Sequence, residues 1–296
     1  MKRRNIGVVL AVIAALLVAV FFIPYKRVGL FAPYGSVVLA MLAIGAALST
    51  LATVTERGRP SNRRAEYKAA LVLGVLTIVG NLCTQLSIQL ISPGLLSVVQ
   101  QTQILMVTAA AFCFLGERPA VGFWLGLILA LVGLGIIRFP GADTAHANLA
   151  GVVFALVSSL GFALMHVYTR KVIHEIRPAT VNAARLWLAV LVLALVPGFA
   201  SGLNSLGWYG WLLCGLAALL GPFLGRVLVM HAVRYIPAAE SSLYTLITPV
   251  FAYFLGFLFY DIVPVWQEYL GSTILIVGVF LPLLDQWRNK DRLGHV

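Results

Sequence analysis

Charged side chains are scarce in this sequence. The 296 residues include 10 acidic and 21 basic ones, so that 10% of the chain is charged while 61% is hydrophobic. A soluble domain is about 25% charged, and the composition therefore excludes that class and predicts an integral membrane protein. The apolar runs span roughly 20 residues and are apolar on all sides, which fits helices that cross a bilayer rather than alternating barrel strands. We predict an all-α membrane protein.

Cysteine is almost as rare, with three residues that all fall inside apolar runs (Cys83, Cys113 and Cys214). Their positions exclude a disulfide framework and show no metal-ligand spacing. The sequence also lacks a Walker-type Gly-Lys-Ser/Thr, a His-Glu-x-x-His and a Gly-x-Ser-x-Gly motif. We therefore expect no enzyme activity, no cofactor and no metal site. The net charge of +11 lies in loops between apolar runs instead of in one patch, so we expect no nucleic-acid partner.

Ten apolar segments predict ten transmembrane helices joined by short loops. If both termini face the cytoplasm, most of the lysine and arginine residues fall in the cytoplasmic loops, as the positive-inside rule requires. We therefore expect a bacterial inner-membrane protein with both termini inside. The predicted spans are residues 5–24, 34–55, 68–90, 93–115, 120–139, 149–169, 178–199, 207–233, 237–259 and 265–285.

The two halves of the chain resemble each other. An apolar helix followed by a polar corner occurs in both, and the interval Pro93–Glu117 has the same length as Pro237–Asp261. We predict two five-helix repeats, residues 1–140 and 141–296. Because five is an odd number, the repeats must have opposite orientations in the membrane. Inverted repeats are how many transporters present one site to either face of the bilayer.

Several loose motifs resemble one known family. They are Thr102-Gln103-Ile104-Leu105 leading to Leu115-Gly116-Glu117-Arg118 in the first half, and residues 234–240 continuing through Pro249 to Phe259 in the second. On these motifs the chain resembles the EamA-type branch of the drug/metabolite transporter superfamily. The chain departs from that pattern at Tyr260-Asp261, where Gly-Glu is often repeated, and at Ile104, where proline is common. The resemblance implies ten helices, a central cavity and the export or exchange of small metabolites, often amino acids.

Amide side chains on two predicted helices are the first candidates for the site. Asn81 and Gln85 are four residues apart on the third span and so share a face, and Gln100 and Gln103 are one turn apart on the fourth. Exposing an amide to lipid costs free energy, so we expect these side chains to line a cavity or to join helices by hydrogen bonds. Tyr244 lies beside a hydroxyl stripe on the ninth span, which the repeat places opposite the fourth. We predict that these five residues line the cavity.

Arg226 is the sharpest single candidate. It lies eight residues before Arg234, about 12 Å into the hydrocarbon at 1.5 Å per residue, and an intramembrane arginine marks a functional site by default. We predict that it contacts an anionic group of the substrate; the alternatives are snorkelling or an internal ion pair with Glu240. Arg185, closer to a helix end, is explained by snorkelling. His166 joins the candidate site as a titratable group, with a structural role as its alternative.

These features together predict a secondary transporter that moves a small polar metabolite, an amino acid or organic anion, by alternating access, with export as the expected direction. Its expected partners are that small molecule and the lipid bilayer, and Gly221-xxx-Gly225 fits either packing within the chain or the seam of a homodimer. Two other functions fit the same sequence: a flippase for lipids or lipid precursors, and a non-transporting subunit of a membrane complex.

Overall fold

A computed structural model describes most of the chain. The described residues are 2–56, 61–115, 124–126, 128–129, 132–133, 136, 148–235, 247–261, 265–267, 269–274, 276–278 and 281. They form helices and turns, with no β-strand among them. The helices are α1 (Lys2–Gly29), α2 (Tyr34–Ala52), α3 (Arg63–Leu90), α4 (Pro93–Gln100), α5 (Thr102–Leu115), α6 (Leu149–Val172), α7 (Pro178–Ala194), α8 (Gly207–Ala218), α9 (Arg226–Ala232) and α10 (Ile247–Tyr260).

Five segments of the described chain are long and apolar enough to cross a membrane. They are Asn5–Gly29, Tyr34–Ala52, Arg63–Leu90, Leu149–Val172 and Ser201–Ala232, with shorter apolar helices between them. The prediction of a helical, multi-pass membrane protein is thereby confirmed. The predicted span 120–139 falls largely outside the described residues, and so does the first part of the span 237–259, residues 237–246.

Three helix starts follow from side-chain caps. The Asn62 side chain accepts hydrogen bonds from the backbone N–H groups of Arg64 and Ala65 and so begins α3. Ser92 does the same for α4 through Leu95 N–H, and Asn148 for α6 through Ala150 N–H. Short polar side chains at these positions satisfy N–H groups that have no partner within the helix.

The predicted fourth span, 93–115, is not one continuous helix. It divides at Gln101, whose backbone N–H bonds to the Val98 carbonyl in a tighter turn. The Gln101 side chain donates to the Ser97 carbonyl at 3.2 Å, and the Thr102 hydroxyl donates to the Val99 carbonyl at 2.7 Å. Polar side chains that bond to nearby carbonyls compete with the helical pattern, which accounts for the break between α4 and α5.

Two predicted spans of the second half differ from the structure. Residues 178–199 were expected to be helical, but α7 ends at Ala194, because Pro197 disfavours helix in the residue before it and Gly198 has a φ of 86°. In span 207–233, the segment Leu219–Gly225 is a π-helix between α8 and α9. Pro222 lies inside that segment and lacks the N–H that an α-helix needs.

The helices of the first half pack mainly on those of the second. Helix α3 packs on α6 and α7, α2 packs on α7, and α1 packs on α8, α9 and α10. Helix α4 packs on α10, as expected for the fourth and ninth spans. The main apolar core extends from Phe22 and Tyr25 on α1 to Leu186 on α7 and Cys214 on α8. This intermeshing surrounds a polar interior with side chains from both halves.

Two carboxylates fix the start of α7. Glu56 accepts hydrogen bonds from the backbone N–H groups of Ala179 and Thr180 at 2.9 and 3.2 Å. Glu66, on α3, forms an ion pair with Arg177 in which Nε lies 2.9 Å from Oε1. The hydrogen bonds that Arg177 donates to the Glu66 carboxylate raise the pKa of the Arg177 guanidinium. Negative charge at a helix N-terminus is favourable, so both acids hold α7 in place against α2 and α3.

Candidate functional site

A cavity of about 180 Å³ lies among helices of both halves. Residues of α1, α3, α4, α5, α6, α7, the π-helical segment, α9 and α10 line it. Apolar walls are formed by residues such as Phe21, Phe22 and Phe162. The polar lining consists of Asn81, Thr84, Ser97, Gln100, Gln101, Gln103, His166, Arg185, Arg226 and Thr248.

Five of the seven predicted site residues meet at this cavity. They are Asn81 on α3, Gln100 at the end of α4, Gln103 on α5, His166 on α6 and Arg226 at the start of α9. Residues far apart in the sequence are thus brought to one place. Tyr244 lies outside the described residues. The role of the five residues in substrate binding remains a prediction.

Gln85 does not line the cavity, contrary to the sequence prediction. Its side chain is fully buried and lies against Gly29 of α1, where a Cβ would come within 2.4 Å of Gln85 Nε2. The absence of a side chain at Gly29 lets α1 approach α3 and draws the amide towards α1. Within the described part of the chain, neither polar atom of the Gln85 amide has a hydrogen-bond partner.

Arg226 is held at the cavity by a single described hydrogen bond. Its Nη2 donates to the Thr169 hydroxyl at 3.2 Å, and its Nε is buried with no hydrogen-bond partner among the described residues. The π-helical segment immediately before it sets the direction in which the side chain leaves the helix. Glu240, the acid considered as its partner from the sequence, lies outside the described residues.

Arg185 is the site residue that the sequence analysis missed. Snorkelling to the membrane surface is wrong for this side chain, because it is only 2% exposed and lines the cavity. Its Nε and Nη2 donate to Asn182 Oδ1 at 2.9 and 2.7 Å, and its Nη1 donates to the Thr77 hydroxyl. The available signal was Asn182, one turn earlier on the same predicted helix.

Asn182 connects Arg185 to two other elements. Its Nδ2 donates to the Ser49 hydroxyl of α2 at 2.7 Å and to the Pro222 carbonyl of the π-helical segment at 3.1 Å. All of the hydrogen-bonding atoms of the Asn182 side chain therefore have partners. A fully satisfied buried network holds its members in one arrangement, and this one fixes α2, α7 and the π-helical segment around Arg185.

The amide and hydroxyl groups at the opposite wall both line the cavity and join helices. Thr84 and Ser158 hydroxyls are 2.6 Å apart across α3 and α6. Gln100 Nε2 donates to both of these hydroxyls, at 3.3 and 3.4 Å. Gln100 therefore lines the cavity and also forms hydrogen bonds between helices, so both interpretations of the amide stripe apply to it.

The charges of the described lining have one sign. Arg185 and Arg226 both contribute guanidinium groups to this lining. The described lining residues include no aspartate or glutamate. The described residues also contain no cluster of three or more His, Cys, Asp or Glu side chains able to hold a metal ion. The described hydrogen-bonding partners of both arginines are neutral, so the site can bind an anion, and its described lining has no carboxylate to balance a cation.

Comparison with known proteins gives a consistent result. The profile of the EamA-like transporter family matches residues 5–139 and again residues 149–284. A protein described as "Uncharacterized transporter" from Archaeoglobus fulgidus is 25% identical over 59% of this chain and 60% of its own length. In Bacillus subtilis (strain 168), "Uncharacterized transporter YdfC" is 21% identical over 87% of this chain and 84% of its own.

A second relative from the same bacterium, "Uncharacterized transporter YyaM", is 22% identical over 94% of this chain and 93% of its own. Among solved structures, one described as "Crystal structure of protein" superimposes with a TM-score of 0.64 at 15% identity, covering 95% of this chain and 98% of that one. At this identity the structural match concerns the fold alone.

Proposed function

Since the chain belongs to the EamA-like transporter family, we propose that it is a secondary transporter that exports a small polar metabolite by alternating access. The observation that carries the proposal is the cavity among the membrane helices, which is lined by two arginines and several amides. Polar and charged groups in a membrane interior are costly and mark substrate pathways. A carrier binds its substrate at such a place, between two structural repeats.

We propose that the chain has ten membrane helices arranged as two inverted repeats, residues 1–140 and 141–296. The twofold match of one family profile supports two copies of one unit, and the packing of helices between halves supports a site shared by both. The proposed location is the bacterial inner membrane with both termini in the cytoplasm, on the distribution of basic residues. The proposed substrate class is an amino acid or organic anion.

A flux measurement tests transport directly. The purified chain in proteoliposomes is given a pool of labelled amino acids and organic acids, and wild type is compared with Arg226→Gln and with Arg64→Gln. Arg64 is exposed at the start of α3 and serves as a matched control. We expect flux of an anionic solute that Arg226→Gln abolishes and Arg64→Gln preserves. Equal flux in wild type and Arg226→Gln would remove Arg226 from the site.

A second measurement does not depend on the substrate's identity. In a background without Cys83, Cys113 and Cys214, a cysteine is placed at Val229 in the cavity, and at Ala40 in the core as a control. A carrier exposes the Val229 position to a membrane-impermeant thiol reagent added from either side, at separate times, whereas Ala40 stays protected. Labelling from one side only would contradict alternating access, and protection from both sides would favour a structural subunit.

A further inference from the structure

We infer that the cavity selects small organic dianions, with Arg185, held by Asn182, as a second anion-binding group beside Arg226. This inference rests on the proposed carrier function and narrows its substrate class. It also gives Asn182 a role as a positioning residue. Three properties of the site favour such a ligand: the charge of its lining, the donors that remain free, and the volume of the cavity.

The first property is charge. Arg185 donates hydrogen bonds to the side-chain oxygens of Asn182 and Thr77, and Arg226 donates one to that of Thr169. All of these described acceptors are neutral. A buried charge is strongly unfavourable unless it is paired. Two neighbouring cations of the described lining therefore attract a ligand that carries two negative charges, and they disfavour a cation or a net-neutral zwitterion.

The second property is the supply of hydrogen-bond donors. A guanidinium has five N–H groups. Among the described contacts of Arg226, one goes to Thr169, and its buried Nε has none. Arg185 uses its three nitrogens on Asn182 and Thr77, and its Nη1 also donates to the Met165 sulfur at 3.8 Å, so that the second N–H group of Nη2 is left for a ligand. Carboxylate oxygens form short, charge-assisted bonds with such groups, so both side chains retain donors for a ligand.

The third property is size. A dry cavity of about 150 Å³ holds one benzene molecule, and this cavity has about 180 Å³. That volume suits an organic acid of roughly four carbons and is small for a lipid headgroup with its chains. Phe21, Phe22 and Phe162 supply apolar walls for the carbon atoms between the charged ends. A short dicarboxylate such as succinate has the matching charge and length.

Asn182 makes the charge of Arg185 available to the ligand. Its Oδ1 accepts two hydrogen bonds in a fork, a geometry that an aspartate carboxylate would also adopt. Asparagine orients the guanidinium without neutralising it, whereas aspartate of nearly the same shape would neutralise it. Asn182→Asp therefore neutralises one positive charge of the cavity at nearly constant side-chain volume, and it also removes the two hydrogen bonds that Nδ2 donates to Ser49 and Pro222.

The experiment uses the purified full-length chain and three labelled probes of similar size: succinate with two charges, butyrate with one, and L-alanine as a zwitterion. Binding is followed by the shift in thermal stability and flux by counterflow in proteoliposomes. We expect wild type to prefer succinate over butyrate by at least about tenfold. Asn182→Asp is expected to weaken succinate binding at least about tenfold and butyrate binding far less, because one favourable charge is lost.

The matched control is Asn148→Asp, which adds the same charge at the exposed N-cap of α6, where aspartate caps as well as asparagine. It should leave the succinate-to-butyrate ratio unchanged. A role for Asn182 that is only structural would lower binding of every probe equally and would overturn its positioning role. If Asn182→Asp does not fold, Arg185→Gln replaces it, with the same expected loss of selectivity.

Failure of this inference can be distinguished from failure of the carrier function. Transport of alanine or butyrate in preference to succinate overturns dianion selection and leaves the carrier intact. Two-sided labelling at Val229 with no succinate binding has the same meaning. Glu240→Gln gives a further check: a gain of succinate selectivity in that variant shows that Glu240 neutralises Arg226, and the inference is then wrong. Absence of two-sided labelling refutes the carrier itself.

Discussion

Gly94 marks the closest approach of α4 to α10, and its replacement by alanine gives a sharp test of this packing. A Cβ added at Gly94 would lie 2.2, 2.5 and 2.7 Å from Cδ1, Cε1 and Cγ of Tyr253. Carbon atoms in contact are normally about 3.5–4.0 Å apart. The ring or the helix must therefore move by about 1 Å or more to accommodate one methyl group.

Tyr253 is poorly able to move. Its hydroxyl lies 3.0 Å from the Ser272 hydroxyl, and its ring stacks on Tyr269 at a centroid distance of 6.4 Å. Overpacking costs about 1–3 kcal/mol, and loss of the Tyr253 hydrogen bond adds about 0.5–1.5 kcal/mol. Alanine recovers about 0.5–1 kcal/mol relative to glycine in a helix. We expect Gly94→Ala to lower the free energy of unfolding by about 1–3 kcal/mol.

The assay is reversible unfolding of the purified protein by SDS in mild detergent micelles, followed by tryptophan fluorescence. Gly256→Ala is the matched control, because this glycine lies on α10 itself and an added Cβ would meet nothing within 4 Å. It should be neutral or slightly stabilising. The double variant Gly94→Ala/Tyr253→Leu should recover part of the lost stability. Equal effects of Gly94→Ala and Gly256→Ala would refute the close approach of α4 to α10.

Three further substitutions test other contacts by the same unfolding assay. Glu66→Gln should lower the free energy of unfolding by about 1 kcal/mol, because the amide nitrogen that replaces Oε2 cannot accept the 2.9 Å hydrogen bond from Arg177 Nη2 and the pair is only partly exposed. Lys26→Met should cost about 1–3 kcal/mol, because Nζ donates at 3.0 Å to two carbonyls at the end of α3. A double-mutant cycle of Thr84→Ala and Ser158→Ala should give a coupling of about 0.6 kcal/mol, and at most about 1.7, as for other hydrogen bonds between membrane helices.

Each of these has its own control. Glu175→Gln and Lys68→Met change exposed side chains of the same types and should have little effect. The control cycle combines Thr84→Ala with Thr273→Ala. The described bonds of these two hydroxyls go to different carbonyls, so this cycle should show no coupling. Losses as large in the control variants as in the test variants would show that the assay reports side-chain removal in general.

Several helix starts could be predicted from the sequence, as could the ends of α3 at Leu90 and of α5 at Leu115, but other ends could not. The predicted starts at residues 34, 93, 149, 178 and 207 coincide with the first residues of α2, α4, α6, α7 and α8. Proline and capping side chains mark most of these positions. The end of α7 at Ala194 is not visible in the sequence because the apolar run continues across it through Leu195 and Val196. The division at Gln101 lies in the polar run 100–103, whose side chains bond to nearby carbonyls.

The sequence did not predict the direction in which each polar side chain leaves α3. Asn81 and Gln85 share a face by spacing, yet one lines the cavity and the other turns to α1 at Gly29. One face of a helix covers a wide arc, so two side chains on the same face can contact two different neighbouring helices. The position of the neighbour is a property of the whole fold, and no pattern within α3 contains it.

Arg185 shows why distance from a helix end is a poor measure of distance from water. It lies two turns into α7, close enough to the start for an arginine to reach a membrane surface. That start is itself closed, because Glu56 bonds to its backbone N–H groups and Glu66 pairs with Arg177 just before it. The Arg185 guanidinium bonds instead to Asn182, one turn earlier on the same helix, and to Thr77 of α3. These neutral partners inside the bundle, which no distance along α7 predicts, hold its positive charge at the cavity.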